Sequence, residues 1–251
     1  MILWQVPEAE THNKGLRKGR CAMASHAAVW ASEAPTPAQL REFFAQIESG
    51  KVTKGRLQSF LRGEFAQAGR SIEEQLAAWT LLYREVFGEE HDFSSLTIPA
   101  QRPGFNRLIV VAKGMTPNRI FLAMQKLFPA WRYTEDLDQI SSVRKADHDY
   151  AVWVRDRVEA DEEYANKSAR DLEHEKVNGI TLEERMFFEI IFFRETGKHL
   201  DEKNWTLCAG SRGPGGGVPR VYWNPAYGYV YMGWTIPEHR DPGIHARAVV
   251  S

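Results

Sequence analysis

With 251 residues, of which 43% are hydrophobic and 26% charged, the chain has the composition of an ordinary globular protein and enough length for one large domain or two small ones. Its formal net charge of −1 excludes the strongly basic proteins that attract nucleic acid or an anionic membrane at long range. Two cysteines that lie far apart and the lack of an apolar run near ~20 residues exclude a disulfide framework and a membrane-spanning helix, so we expect a soluble, cytoplasmic protein.

Residues 1–32 show no helical or strand periodicity apart from a short apolar run at the start. Their basic residues follow that apolar run, which is the wrong order for a secretory signal. We therefore expect this segment to be a disordered extension that contributes little to the fold.

Residues 33–104 are predicted to form a small helical unit followed by a linker. "TPAQLREFFAQIESG" predicts a helix that begins with Thr36 as N-cap and Pro37 at the first helical position. "KVTKGRLQSFLRG" predicts a short second helix, and "SIEEQLAAWTLLYREVFG" a third, in which Ser71 and Glu74 have the spacing of a capping box. The polar stretch "GEEHDFSSLTIPAQRPG", with its two prolines, is typical of a linker.

Residues 105–251 have the pattern of an α+β domain. "NRLIVVAKG" and "DYAVWVRD" predict strands on either side of a helix in "MTPNRIFLAMQKLF", so we expect a strand–helix–strand unit. A long helix is predicted in "ITLEERMFFEIIFFRETGKH", where Thr181 and Glu184 have capping-box spacing and Gly197 marks the end. Its middle is apolar on nearly every face, so it should be buried against a sheet.

The last fifty residues are rich in strand patterns. Strands are predicted in "NWTLCAG", "VPRVYW", "YGYVYMGW" and "HARAVV", and "NPAYG" is predicted to join the second and third as a hairpin loop. The fold class that follows is α+β: a small helical N-terminal unit, then a mostly antiparallel sheet packed against one long buried helix.

The glycine-rich stretch 210–217 lies between two predicted strands. Phosphate-binding loops depend on a helix N-terminus directly after the loop, and no helix is predicted here, so a phosphate loop is excluded. A mobile hairpin loop is one interpretation. In the other, Arg212 and Arg220 bind a carboxylate or phosphate, while Gly215 and Gly216 let the ligand approach the backbone.

Side chains suited to nucleophilic hydrolysis occur near the ends of these strands. Cys208 and Ser211 are candidate nucleophiles, and the segment "PEHRDPGIH" brings candidate acids and bases close in sequence, namely His239, Asp241 and His245. No Gly-x-Ser-x-Gly motif surrounds the serine. For the cysteine, the alternative is a small buried core residue.

Two other clusters of charge have both a functional and a structural interpretation. Glu189 lies among apolar residues of the long helix, where burial would raise its pKa and suit it to proton transfer. The alternative is a surface ion pair with Arg185, one turn earlier. The acidic stretch "RDRVEADEEYANK" matches no calcium loop and is explained equally well by an acidic helical turn, so the sequence predicts no metal site.

These observations favour a bacterial-type ligand-handling protein, with hydrolysis of a small polar or anionic substrate as its candidate activity. The alternative is a nucleic-acid-binding or protein-interaction adaptor that uses the N-terminal helical unit, where "ESGKVTKGRLQSFLRG" has the shape of a helix–turn–helix. The nearly balanced charge of that unit makes nucleic acid the less favoured partner. A third interpretation treats the aromatic strand faces as a self-association surface.

Overall fold

The structure, a computed structural model, describes residues 36–49, Leu57 and residues 70–251. The chain divides into two compact units, Met1–Leu61 and Arg62–Ser251. In the first unit, helix α1 (Pro37–Glu48) confirms the first predicted helix. The expected extension 1–32 and, apart from Leu57, the predicted second helix lie outside the described residues.

The second unit contains both helices and strands. Its helices are α2 (Ile72–Leu82), α3 (Pro117–Leu127), α4 (Ala169–His174) and α5 (Leu182–Thr196). Its strands are β1 (Arg107–Val111), β2 (Ala130–Arg132), β3 (Ser141–Ser142), β4 (Tyr150–Val154), β5 (Trp205–Leu207), β6 (Ser211–Arg212), β7 (Val218–Asn224), β8 (Tyr229–Thr235), β9 (Ile244–Ala246) and β10 (Val249–Val250).

Helix α2 begins at the predicted capping box, in which Ser71 and Glu74 cap each other. The helix and the helical turn that follows it pack against β1 through two aromatic side chains. The indole of Trp79 donates to the Leu108 carbonyl at 2.9 Å, and the hydroxyl of Tyr83 donates to the Val110 carbonyl at 3.0 Å. This helix lies in residues 33–104, the predicted helical unit and linker, and these two bonds join it to the first strand of the α+β domain.

A three-stranded antiparallel sheet has the order β1-β4-β10. β1 and β4 are the strands predicted on either side of α3, and both predictions are confirmed. They do not form a crossover unit of parallel strands, because the chain passes through β2 and β3 before it returns antiparallel to β1.

A five-stranded sheet has the order β2-β8-β7-β5-β9. The predicted hairpin is confirmed: β7 and β8 pair antiparallel, and Gly228 closes the turn at a φ of 67° by donating to the Asn224 carbonyl. The edge strands β2 and β9 pair parallel with their neighbours. "HARAVV" was predicted as one strand, but it divides between β9 in this sheet and β10 in the other.

Helix α5 has the predicted caps, with Thr181 and Glu184 in a capping box and Gly197 at a φ of 67°. Residues 182–192 are all buried. The helix packs against β1 and α3, and its apolar side chains share one hydrophobic core with Val221 and Val230 of the five-stranded sheet. The predicted α+β class, with a mostly antiparallel arrangement around one long buried helix, is therefore confirmed. None of the helices in the described part of the chain is long and apolar enough to cross a membrane.

Candidate functional site

The predicted catalytic residues of the β8–β9 segment make their contacts away from Ser211. His239 is exposed, Asp241 accepts a hydrogen bond from the Gly243 backbone at 2.7 Å, and His245 lies in β9 with its Nδ1 3.3 Å from the Asn204 amide. Ser211 lies in β6, which pairs with β3. The fold therefore does not bring the serine, the histidines and the aspartate into one hydrogen-bonded constellation.

Cys208 has the environment of a core residue. Its side chain is fully buried, and burial raises the pKa of the thiol well above its ordinary value. A thiol that stays protonated at neutral pH is a poor nucleophile. The structural interpretation therefore fits this cysteine better than the catalytic one.

The glycine-rich stretch is a closed turn with its own hydrogen bonds. The Gly213 backbone donates to Gly217 at 2.8 Å, and Gly216 adopts a φ of 78° that glycine favours. Arg212 donates to the carbonyls of Ala209 and Ser211, both at 2.8 Å, and forms an ion pair with Glu173. The Arg212 guanidinium already binds these protein groups, so it is not free to bind an anionic ligand with two parallel hydrogen bonds, as was predicted.

A cluster of three polar side chains lies at the N-terminus of α5. The Ser142 hydroxyl donates to the Glu183 carboxylate at 2.8 Å and lies 2.7 Å from the Ser211 hydroxyl. The backbone N–H of Leu182, in the first turn of the helix, donates to Ser211 Oγ at 2.9 Å. We call Ser142, Glu183 and Ser211 the serine–glutamate centre.

The hydrogen bonds of this centre have a common direction. Ser142 uses its single hydroxyl proton to donate to the carboxylate, so the Ser211 hydroxyl donates to Ser142 and accepts from the helix N–H. Such chains polarise each member. Burial raises the pKa of the Glu183 carboxyl, and hydrogen bonds from the backbone and Ser142 offset only part of that increase. A buried carboxyl with a raised pKa suits proton transfer near neutral pH.

Neighbouring residues hold the centre in place. Arg144 donates two hydrogen bonds to the Glu184 carboxylate, at 2.5 and 2.9 Å, and a third to the Gly179 carbonyl. These bonds connect the segment after β3 to the start of α5. Gly210 allows β6 to approach this point, because a Cβ there would lie 2.6 Å from the Gly179 carbonyl oxygen. Only glycine fits such a close backbone approach.

Two clefts meet at Ser142. One, of about 540 Å³, is lined by Ser142 and Glu183 together with Thr116, Asp138, Lys145 and Asp147 among others. The other, of about 420 Å³, is lined by Ser142 with Asn178, Glu173, Gly210 and Arg212 among others. Ser142 and Glu183 therefore both line the first cleft, although each is largely buried.

Tyr150 lies close behind the centre. Its hydroxyl is buried, and burial raises the pKa of the phenol. The residue also lines a third cleft, of about 790 Å³, together with Arg144 and Lys145.

Glu189 does pair with Arg185, at 2.7 Å, but the prediction that this pair lies on the surface is wrong. Both side chains are fully buried, and Asp201 binds the other edge of the guanidinium at 3.0 and 2.8 Å. Arg247 donates to the second oxygen of Asp201 at 2.6 Å. Burial raises the pKa of Asp201, but the Arg247 and Arg185 guanidiniums outweigh it and hold the pKa below its usual value.

Two carboxylates of the acidic stretch after β4, Asp161 and Glu163, form ion pairs with arginines. Asp161 is buried and accepts from Arg155 at 2.6 Å. The hydrogen bond from Arg157 to Glu163 lowers the pKa of that carboxyl to about 2. Over residues 36–49 and 70–251, no group of three or more histidine, cysteine, aspartate or glutamate side chains is arranged to hold a metal ion.

Sequence reasoning found Ser211 but missed Ser142, Glu183 and Tyr150. Ser142 stands in "QISSVRK", which matches no catalytic motif. The Thr181 cap did place Glu183 in the first turn of a helix, where an acidic residue is ordinary. Its contact with Ser142 joins residues 41 positions apart, and no local pattern carries that information.

Comparison with protein-family models, with curated proteins and with solved structures finds no match for this chain, so its function must be argued from this geometry.

Proposed function

We propose that this protein binds a small polar molecule at the serine–glutamate centre and hydrolyses it, with Ser142 as nucleophile. The observation that carries the proposal is the 2.8 Å hydrogen bond from Ser142 Oγ to the buried Glu183 carboxylate, with both residues lining one cleft. A hydroxyl within hydrogen-bond reach of a base is the arrangement from which nucleophilic catalysis starts.

The chemistry follows from the direction of the hydrogen bonds. Glu183 accepts the Ser142 proton as Oγ attacks the carbonyl carbon of an ester or amide, and it then delivers that proton to the leaving group. Water attacks the resulting acyl-serine, again with Glu183 as base, and the acid product departs as the Ser142 hydroxyl re-forms. Ser211 is a positioning residue that fixes the nucleophile through its bond to Leu182.

The charge of the cleft favours a neutral or cationic substrate over an anionic one. Lys145 is opposed there by Asp138, Asp147 and Glu183, and Arg212, which had suggested an anionic ligand, is bound to Glu173. A volume of about 540 Å³ is in the range of small-molecule sites. The reducing cytoplasm remains our proposed location, because the two cysteines suit it.

The test compares Ser142→Ala with Ser141→Ala, its exposed neighbour in the same strand. The parent chain should hydrolyse 4-nitrophenyl acetate and become labelled by a fluorophosphonate. Ser142→Ala should abolish labelling and lower hydrolysis about 100-fold or more, and Glu183→Gln should lower hydrolysis comparably. Ser141→Ala should match the parent in both assays.

Urea unfolding of each variant separates chemistry from folding. A parent that is neither labelled nor active, combined with a loss of stability in Ser142→Ala, would mean that the centre serves only to hold the N-terminus of α5, and the hydrolase proposal would fail. The adaptor alternative depends on the N-terminal helical unit, whose helix–turn–helix stretch "ESGKVTKGRLQSFLRG" lies largely outside the described residues, and no observation made on the described ones favours it.

A further inference from the structure

One face of the five-stranded sheet is covered with aromatic rings. Neighbouring rings lie across adjacent strands, with centroids 5.4 Å apart for Trp205 and Tyr222, 5.1 Å for Tyr222 and Tyr231, and 5.0 Å for Tyr231 and Trp131. We define the aromatic face by six residues, Trp131, Tyr133, Trp205, Tyr222, Tyr229 and Tyr231. Trp131 is 42% exposed and Tyr133 is 71% exposed. Large apolar side chains that are exposed next to each other often mark an interaction site.

Arg220, in the central strand β7, forms no ion pair or hydrogen bond within the part of the chain that the structure describes. Its guanidinium carbon is 4.5 Å from the centre of the Trp205 ring and 5.9 Å from that of Tyr231. Its Nε is buried and makes no hydrogen bond. The other buried and half-buried arginines of the described segments, such as Arg107, Arg144 and Arg247, all donate to carboxylates or carbonyls. A half-buried guanidinium without an acceptor is therefore an exception that a bound anion would satisfy.

The composition of this face is that of a protein-binding surface. Tryptophan, tyrosine and arginine are the residues enriched where single side chains dominate binding energy, whereas lysine, aspartate and glutamate are depleted there. At the positions of β2, β5, β7 and β8 that share this face, Arg220 is the one charged side chain. A partner must therefore bring apolar groups for the rings and a carboxylate for the arginine.

We propose that the aromatic face is a docking site for a segment of another protein that inserts an aspartate or glutamate against Arg220 between apolar side chains. A single-stranded nucleic acid would require a groove with several basic residues, and this face has one. A second copy of this chain, related by a two-fold axis through the face, would place two Arg220 guanidiniums opposite each other.

The experiment selects peptides from a phage-displayed library of random 12-residue peptides on the full chain, with the Arg220→Ala chain used to remove peptides that bind elsewhere. Selected peptides should share an aspartate or glutamate next to aromatic or aliphatic residues. Their binding, measured by fluorescence anisotropy of the synthetic labelled peptide, should weaken about 10-fold or more in Arg220→Ala, in Trp131→Ala and when the acidic residue becomes its amide. Arg170→Ala, which changes an exposed arginine paired with Glu238, should bind as the parent does.

Three results would overturn the proposal. The selection could return no peptide, or peptides whose binding depends on neither Arg220 nor their own carboxylate. A labelled twelve-residue oligothymidylate could bind the parent and lose binding in Arg220→Ala, which would assign the face to nucleic acid. Sedimentation velocity could reveal a dimer that Trp131→Ala dissociates, which would assign it to self-association.

Discussion

The substitution Asp201→Asn removes one charge from the buried ion network and leaves the shape of the side chain unchanged. Asp201 adopts a φ of 57°, a left-handed conformation that asparagine also tolerates, so the backbone should stay in place. The carboxylate accepts hydrogen bonds from Arg185, from Arg247 at 2.6 Å and from Thr206 at 2.5 Å. An asparagine amide would direct one N–H toward these donors.

The magnitude follows from the charge balance. Two arginines, Arg185 and Arg247, face two carboxylates, Asp201 and Glu189, and all four are at most 1% exposed. Asp201→Asn leaves one positive charge uncompensated in the core. Removing one partner of a buried ion pair costs about 3–5 kcal/mol in the free energy of unfolding.

The assay is urea unfolding at pH 7, followed by tryptophan fluorescence. The second variant is Asp201→Asn combined with Arg247→Met, which restores neutrality. It should be less destabilised than the sum of the single variants by about 2 kcal/mol, since the two residues interact directly. Arg170→Ala, at an exposed ion pair, is the control and should change stability by about 0.5 kcal/mol or less.

The pH dependence gives an independent check. A carboxyl whose pKa is lowered by folding stabilises the protein above its unfolded pKa of about 3.9, and that contribution is lost as the pH falls through the lower folded pKa. The difference between the parent and Asp201→Asn should therefore narrow below about pH 4. A cost under about 1 kcal/mol with additive variants would refute the reasoning, since it would mean that solvent compensates these charges.

Three further predictions concern packing and titration. Phe188→Ala should cost about 3–5 kcal/mol in urea unfolding, because this fully buried ring leaves a cavity in the core. Gly210→Ala should lower the melting temperature, since its Cβ would overlap the Gly179 carbonyl, whereas Gly215→Ala, with open space and an ordinary φ, should be neutral or raise stability by up to about 1 kcal/mol. Glu183→Gln should become more stable relative to the parent as the pH rises from about 4 to 8. Folding raises the pKa of the Glu183 carboxyl, so the stability that the protonated carboxyl contributes to the parent is lost as the pH rises. A stability difference that stays constant across a pH series of melting curves would contradict this.

The sequence by itself determined the local structure of this protein. The capping boxes at Ser71 and Thr181 and the hairpin turn at Gly228 all occur where the patterns predicted them, because each depends on residues within a few positions of one another. The all-round apolar pattern of α5 also predicted its burial and, with the strand patterns, the α+β class.

Only the tertiary structure decided which side chains meet. Ser142 and Glu183 come together because β3 and β6 pair beside the N-terminus of α5, and no spacing in the chain encodes that pairing. Glu189 and Arg185 have the same one-turn spacing whether they are on the surface or in the core. Their burial is compensated by Asp201, in the loop that follows α5, which binds the Arg185 guanidinium. Burial and long-range charge pairing depend on how elements pack against each other, and a single sequence specifies that packing only through the whole fold.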